Sequence, residues 1–202
     1  MKVKKNISKQ KVLDAASSLF FQNGYHGTSV RDIAEKATVN VSLISYYFKS
    51  KQGLFEFAVT QYYEMYLEKM EETLEKTESL SASEQLNELI LTIIQYKQSN
   101  LQLSCTIYRE LSLNSVFAKE MMVTYLAKEN HYISTLLFRT LKKEHILDKQ
   151  FLLMQLKGML MTPYILHNEW RYQVIGEHSH DMFVKQYVQT INAWLKFVKE
   201  KN

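Results

Sequence analysis

Residues 28–51 read TSVRDIAEKATVNVSLISYYFKSK, and this stretch predicts two short helices joined by a tight turn. Ser29, followed three residues later by Asp32, forms a capping-box pattern, so the first helix should begin directly after Ser29. Asn40 can cap the second helix, over residues 41–47, because its side-chain oxygen can accept a hydrogen bond from a first-turn amide. Two short helices across such a turn are typical of a helix-turn-helix.

The second of these helices has one apolar and one largely polar face. In a helix-turn-helix the inner face anchors the helix, and the outer face stays free to enter the major groove of a duplex. Across both helices and the turn, the residues expected on the inner side are Ile33, Ala34, Val39, Ile44, Tyr47 and Phe48. The residues expected to face outward, as candidates to contact bases or phosphates, are Val41, Ser42, Ser45 and Tyr46.

The rest of the chain also predicts helices, so we expect an all-α fold. Apolar residues recur at spacings of three and four almost throughout, and there are only five glycines and one proline. A first helix should run from a cap at Ser8 to Asn23 and stop at Gly24, and Ser50 should cap a helix that continues to residue 74. Further helices are expected at residues 83–99, 101–112, 115–143, 148–173, with a kink at Pro163, and 181–199.

Positive charge is concentrated near the N-terminus. The whole chain has a net charge of +4, but residues 1–51 hold nine lysines and arginines against three acids, which leaves −2 for residues 52–202. Such an asymmetry suits DNA as a partner, since each phosphate that a protein neutralises releases condensed counterions. A solvated basic surface is the alternative.

Several other classes of function have little support. A single cysteine, Cys105, excludes an intrachain disulfide and a multi-cysteine zinc site. The sequence has no glycine-rich phosphate loop, no Gly-x-Ser-x-Gly elbow and no His-Glu-x-x-His, so we expect neither an enzyme nor a cofactor. His178, His180 and Asp181 could bind a metal, but a capped loop fits them better and we expect no metal site. We also expect no membrane segment and a cytoplasmic location.

Several spacings near the N-terminus match a known family at once. The run Gly24-Tyr25-x-x-Thr28-Ser29-Val30-Arg31-Asp32-Ile33-Ala34, then Val39, then Tyr46-Tyr47-Phe48-x-Ser50-Lys51-x-x-Leu54, resembles the N-terminal domain of TetR-family regulators. The resemblance covers about the first 55 residues. It implies a helix-turn-helix DNA-binding domain in residues 1–50 and a helical dimerisation or regulatory domain in residues 51–202. It also implies a homodimer that binds an inverted-repeat site in double-stranded DNA.

The resemblance also implies roles for single residues. Thr28 and Lys51 would contact phosphates, Arg31 would approach a base edge, and Tyr46 would contact a phosphate or a base. The family usually has tyrosine at the position of Ser45 and glycine at that of Thr38. Thr28 as a helix cap and Arg31 as a solvated charge are the alternatives. The candidate DNA-binding residues are Thr28, Arg31, Asn40, Val41, Ser42, Ser45, Tyr46, Lys49 and Lys51.

The last two predicted helices carry more apolar surface than a small bundle readily hides. We therefore expect them to form a two-fold interface of four helices between two copies of the chain. The residues that suggest this interface are Leu152, Leu153, Leu156, Leu160, Ile165, Phe183, Tyr187, Ile191, Trp194, Leu195 and Val198.

Two stretches resemble a narrower group. Residues 38–54 and 108–129 are similar to a TetR-like protein of spore-forming bacteria that binds chromosomal sites and restrains assembly of the division protein FtsZ. This likeness implies FtsZ as a partner, association with the nucleoid and a role in septum placement. The candidate partner-binding residues are Arg109, Glu110, Lys119 and Glu120, although a solvated surface would also explain each of them.

The alternative is a repressor that a small molecule releases from DNA. Its cavity would be lined by a group of aromatic and methionine side chains, for which plain core packing is the other explanation. These residues are Tyr96, Tyr108, Met121, Met122, Tyr125, Phe138 and Trp170.

Overall fold

The computed structural model describes residues 2–111, 116–141, 146–166, 172 and 179–201, and the regular structure in these ranges is entirely helical. In chain order the helices are α1 (Lys2–Asn23), α2 (Val30–Ala37), α3 (Val41–Phe48), α4 (Lys51–Lys76), α5 (Ala82–Ser99), α6 (Leu101–Leu111), α7 (Val116–Met121), a π-helical turn (Met122–Leu126), α8 (Ala127–Thr140), α9 (Ile146–Ile165) and α10 (His180–Lys201). The expected all-α fold is confirmed. None of the described helices is long and apolar enough to cross a membrane.

Helix α1 starts earlier than its sequence suggested. Ser8 lies inside the helix rather than at its cap, because the lysine-rich stretch before it has good helix formers and no breaker. The helix stops where expected: Gly24 has a φ of +76°, the left-handed conformation in which glycine carries no steric penalty.

The helix caps on either side of the tight turn form as predicted. The Ser29 hydroxyl accepts a hydrogen bond from the Asp32 amide at 3.2 Å, and the Ser29 amide donates to Oδ2 of Asp32 at 2.8 Å. The bond from the Ser29 amide holds the pKa of the Asp32 carboxyl below its ordinary value. Asn40 Oδ1 accepts a hydrogen bond from the Ser42 amide at 2.8 Å. Both caps fix the ends of short helices that would not be stable alone.

The turn between α2 and α3 holds a threonine in an unfavourable conformation. Thr38 has φ 55° and ψ 48°, the left-handed region that a β-branched residue rarely adopts. Two backbone hydrogen bonds hold it there: the Thr38 amide donates to Glu35 O at 3.0 Å and the Val39 amide to Ala34 O at 2.9 Å. The sharp reversal between the two helices is thus retained without the glycine that the family usually has here.

The chain forms two compact units. The N-terminal unit comprises residues 1–64 and 101–113, and the C-terminal unit comprises residues 65–100 and 114–202. The expected domain boundary at residue 50 differs from this division, because the first part of α4, up to Glu64, belongs to the N-terminal unit and α6 packs against α1. In the N-terminal unit α2 also packs on α1, over a core that includes Val12, Ala16, Phe20, Ile33, Ile44 and Leu54.

The C-terminal unit is built around α5, which packs against α8, α9 and α10. The predicted long helix over residues 115–143 is divided instead into α7, a π-helical turn and α8. Apolar spacing of three and four does not reveal a single wider turn, and such turns are frequent at functional sites. The buried Glu129 follows this π-helical turn by three residues.

Pro163 interrupts the hydrogen bonds of α9, and α10 compensates. Proline has no amide proton, so the carbonyl of Met159, four residues earlier, loses its helical donor. The Tyr187 hydroxyl of α10 donates to that carbonyl at 2.7 Å. Helix α9 ends at Ile165, earlier than predicted, and residues 167–171 and 173 of the predicted helix lie outside the described part. The kink at Pro163 stays a prediction.

The apolar residues expected at a dimer interface lie mostly inside one protomer. Seven of them are buried: Leu153, Leu156, Leu160, Phe183, Ile191, Leu195 and Val198. Leu152, Tyr187 and Trp194 are half-buried, and Ile165 is exposed. The seven buried residues are therefore corrected, because their side chains pack within the C-terminal unit. Leu152, Tyr187, Trp194 and Ile165 stay predicted interface residues. The large apolar side chains that α9 and α10 expose are Phe151, Met154, Ile165, Met182 and Phe197.

Candidate nucleic-acid interface

Helix α3 has the two faces that its sequence predicted. Ile44 is completely buried and Phe48 is 4% exposed, so they anchor the helix in the N-terminal unit. On the opposite side Val41 is 39% and Tyr46 70% exposed, and the side chains of Ser42 and Ser45 are also exposed. The predicted inner residues Ile33 and Ala34 are buried as well, and Val39 and Tyr47 are half-buried.

The start of α3 carries two polar side chains, those of Asn40 and Ser42. Besides capping the helix, Asn40 Oδ1 accepts a hydrogen bond from the Ser42 hydroxyl at 2.7 Å. Both side chains are exposed. Since exposed amide and hydroxyl side chains can hydrogen-bond to phosphates and base edges, this end of α3 suits either.

Two of the candidate DNA-binding residues are cations, one on α2 and one directly after α3. Arg31 is exposed on the first turn of α2, and Lys49 is exposed directly after α3. Lys49 has a φ of +67°, and its amide donates to Ser45 O at 3.0 Å, which ends the helix. A guanidinium can bind guanine or phosphate through two parallel hydrogen bonds, whereas an ammonium acts as a compact charge. The exposed set on α2 and α3 can therefore bind both the backbone and the bases of DNA.

The predicted phosphate contact by the Thr28 side chain is corrected. Thr28 is 1% exposed, and its hydroxyl donates to Gly24 O at 2.9 Å and to Leu19 O at 3.2 Å. The hydroxyl therefore closes the loop between α1 and α2 and is not available to a phosphate. Its role is structural, as the alternative explanation had suggested, but it acts on the end of α1 rather than as the cap of α2.

Lys51 is also engaged within the protein. Its amine donates to Tyr25 O at 2.8 Å and to Thr28 O at 2.9 Å, and Nζ lies 4.4 Å from the centroid of the Tyr25 ring. The ammonium is thus held against the same loop that Thr28 closes. Sequence reasoning missed this contact, since the partners lie 26 and 23 residues away and a backbone carbonyl has no sequence pattern.

The four candidate partner-binding residues do not share one unit. Arg109 and Glu110 lie on α6 in the N-terminal unit, whereas Lys119 and Glu120 lie on α7 in the C-terminal unit. Arg109, Lys119 and Glu120 are exposed, but Glu110 is half-buried. Burial raises the pKa of Glu110, against the opposing attraction of His26, Arg109 and Lys51. Glu110 therefore faces residues of its own unit.

The residues of the suggested ligand cavity also fall in different places. Tyr108 is buried in the N-terminal unit, while Tyr96 and Phe138 are half-buried in the C-terminal unit. Trp170 and the side chain of Met122 lie outside the described residues, as does His178 of the weighed metal site.

Comparisons with known proteins agree with this geometry. The family model for bacterial regulatory proteins of the tetR family matches residues 12–58, which include the whole helix-turn-helix. The probable HTH-type transcriptional regulator YttP of Bacillus subtilis (strain 168) is 38% identical over 195 residues, covering 95% of this chain and 93% of that protein.

Solved structures of similar fold cover almost the whole chain. The putative fatty acid metabolism regulator of Clostridium perfringens superposes with a TM-score of 0.70 at 20% identity, over 91% of this chain and 97% of that one. PfmR, a TetR family transcriptional regulator from Thermus thermophilus, gives a TM-score of 0.72 at 15% identity, over 94% and 97% of the two chains. The extent of the YttP match and the helix-turn-helix together place this chain in the TetR family of bacterial DNA-binding regulatory proteins.

Proposed function

We propose that the protein is a homodimeric regulator that binds an inverted-repeat DNA site with the outer face of α3. The main support is that α3 is buried on one side and exposed on the other. Ile44 and Phe48 anchor the helix in the N-terminal unit, while Val41, Ser45 and Tyr46 remain exposed. TetR-family proteins act as DNA-binding homodimers, and two-fold symmetry would present two copies of α3 to two half-sites.

The exposed residues suit different parts of a duplex. The hydroxyls of Ser42, Ser45 and Tyr46 can hydrogen-bond to base edges or phosphates, and the methyl groups of Val41 can contact the methyl group of thymine. The guanidinium of the exposed Arg31 can bind guanine through two parallel hydrogen bonds. The remaining proposed DNA contacts are made by Asn40 and Lys49.

Arg31 and Lys49 should contribute to DNA binding in different ways. Arg31→Ala should weaken binding to the preferred site by about 1–3 kcal/mol and leave binding to random DNA nearly unchanged, because a base contact is lost. Lys49→Ala should weaken both and flatten the salt dependence by about one unit per protomer, because a phosphate contact is lost. Fluorescence anisotropy titrations at several salt concentrations would measure both effects.

The preferred site for these titrations can be selected from a pool of random duplexes. Arg139→Ala is a charge-matched control, since Arg139 is exposed on α8 in the C-terminal unit. An equal loss on preferred and random DNA after Arg31→Ala would contradict the base-reading role. Absence of binding by the unaltered protein, even at low salt, would contradict the proposed function itself.

We further propose that the output is RefZ-like: binding at chromosomal sites that modulates FtsZ assembly and septum placement. The support is the likeness of residues 38–54 and 108–129 to RefZ. Arg109, Lys119 and Glu120 are exposed and remain the proposed partner contacts, whereas Glu110 is directed toward its own unit.

The division role has a direct test. Protein bound to its preferred duplex should lower the light scattering of FtsZ polymers without any small molecule, and Lys119→Ala with Glu120→Ala should reduce this effect while DNA binding is retained. Unchanged FtsZ assembly at an excess of protein would contradict the division role and favour an ordinary repressor. Genome-wide mapping of bound sites would add an independent result, since sites clustered by chromosomal position support the division role.

A further inference from the structure

The loop between α1 and α2, residues 24–29, is held from one side by the start of α4. Lys51 is the first residue of α4, and its amine bridges the carbonyls of Tyr25 and Thr28. The Tyr25 ring packs against Phe55 of the same helix, with centroids 5.1 Å apart. Lys51 and Phe55 thus fix both the backbone and the aromatic side chain of the loop.

The end of α6 lies on the same loop. A Cβ atom placed on Gly24 would be 3.9 Å from Nη1 of Arg109, so the Arg109 side chain lies beside the start of the loop. Burial raises the pKa of the Tyr25 hydroxyl, and the negative charges of Glu110 and Glu56 raise it further. The loop therefore lies beside both α4 and α6 of its own unit.

The loop determines where the DNA-reading helix lies. Its last residue, Ser29, is the N-cap of α2, and α2 packs directly on α3. A shift of the loop would therefore move the whole helix-turn-helix relative to α1 and α4. Contacts that fix the loop preorganise the binding surface and reduce the free energy spent in ordering it when DNA binds.

We propose that Lys51 is a positioning residue for DNA binding: its amine clamps the α1–α2 loop through two carbonyls instead of neutralising a phosphate. This inference rests on the proposed function, since it assigns a role in the same DNA-binding surface. It differs from the role that the family resemblance implied for Lys51.

Salt dependence distinguishes a clamp from a phosphate contact. A lysine that binds a phosphate releases a counterion, so its removal flattens the plot of log affinity against log salt by about 0.9 per contact. A clamp acts without counterion release. Lys51→Met keeps most of the aliphatic chain and removes the charge. We expect this variant to bind its preferred duplex about 10- to 100-fold more weakly, the range for loss of hydrogen bonds from a charged donor, with an unchanged salt slope.

A further variant makes the test independent of simple loss of folding. Lys51→Arg keeps donors for both carbonyls and should restore at least part of the affinity.

The same set of full-length variants gives a second readout. Hydrogen exchange of amides in residues 24–29 should become faster in Lys51→Met, while exchange in α5 and α8 of the C-terminal unit stays the same. A flattened slope in Lys51→Met would overturn the clamp. That result would leave the proposed function intact, whereas a failure of the unaltered protein to bind duplex DNA would overturn the function first.

Discussion

Replacement of Glu129 with alanine should lower the free energy of unfolding of the C-terminal unit by about 3–5 kcal/mol. Glu129 lies on α8 and pairs with Lys97 of α5, with Nζ and Oε1 3.3 Å apart and Lys97 only 1% exposed. The Tyr66 hydroxyl donates to the same Oε1 atom at 2.7 Å. The substitution therefore removes the carboxylate that offsets a fully buried ammonium and takes the acceptor from a buried hydroxyl.

Burial already lowers the pKa of Lys97, and Glu129 opposes that effect. A lowered native pKa means that the unfolded chain binds more protons between that value and the ordinary lysine value, so the contribution of Lys97 to stability rises with pH in this window. Without Glu129 the pKa of Lys97 in the folded protein should fall further, and the pH range over which stability rises should widen. Stability of the variant should therefore increase more steeply with pH on the alkaline side than stability of the unaltered protein.

Urea unfolding followed by tryptophan emission would measure these effects. Both tryptophans, Trp170 and Trp194, fall within the C-terminal unit, so their emission reports on the unit that holds the pair. Glu72→Ala is the control, since Glu72 pairs with Lys69 and Lys76 on an exposed helix face and its removal should have little effect. A similarly small change in Glu129→Ala would contradict the prediction.

The Lys97–Glu129 pair should contribute little net free energy to folding, although the loss of one partner alone is costly. A triple variant, Lys97→Met with Glu129→Leu and Tyr66→Phe, removes all three polar groups together. Buried ion pairs can often be replaced by apolar groups of similar volume at little or no cost. We therefore expect the triple variant to recover most of the stability that Glu129→Ala loses.

The helix-turn-helix could be predicted from sequence because its determinants are local. The capping box of Ser29 and Asp32 and the Asn40 cap each involve residues two or three positions apart. The buried positions Ile44 and Phe48 follow from helical periodicity alone. Each of these features can be read within a window of a few residues, and each occurs as predicted.

Features that depend on distant residues could not be predicted. The clamp of Lys51 on Tyr25 and Thr28 joins a side chain to backbone carbonyls across more than twenty residues. Helix α6 belongs to the N-terminal unit although it lies far along the chain, and only its packing on α1 reveals this. The family resemblance assigned phosphate contacts to Thr28 and Lys51, and it carries no information on the burial or hydrogen-bond partners of these side chains in this chain.

The DNA-binding proposal also requires an interface between two copies of the chain. Exposed apolar residues on α9 and α10 favour one location for this interface. Phe151, Met154 and Ile165 fall on one face of α9 and are each at least 54% exposed. Gly158 lies on the same face, and a Cβ placed there would have no heavy atom within 4 Å. On α10, Phe197 is 60% exposed. We propose that these faces of α9 and α10 pack against the same faces of a second copy, since large apolar side chains are covered in stable assemblies.

Met154→Glu should therefore convert the dimer to a monomer and weaken binding to the inverted-repeat site by about 10²- to 10⁴-fold, because the two half-sites are no longer linked. Sedimentation velocity and anisotropy titrations on whole and half-sites would measure the two effects. Val123→Glu is the matched control, since Val123 is 77% exposed on the π-helical turn of the same unit, away from α9 and α10 in sequence. Half-site affinity should be unchanged in both variants, because α3 is intact. If Met154→Glu still sediments as a dimer, or if Val123→Glu becomes monomeric, the two copies associate through a surface other than α9 and α10.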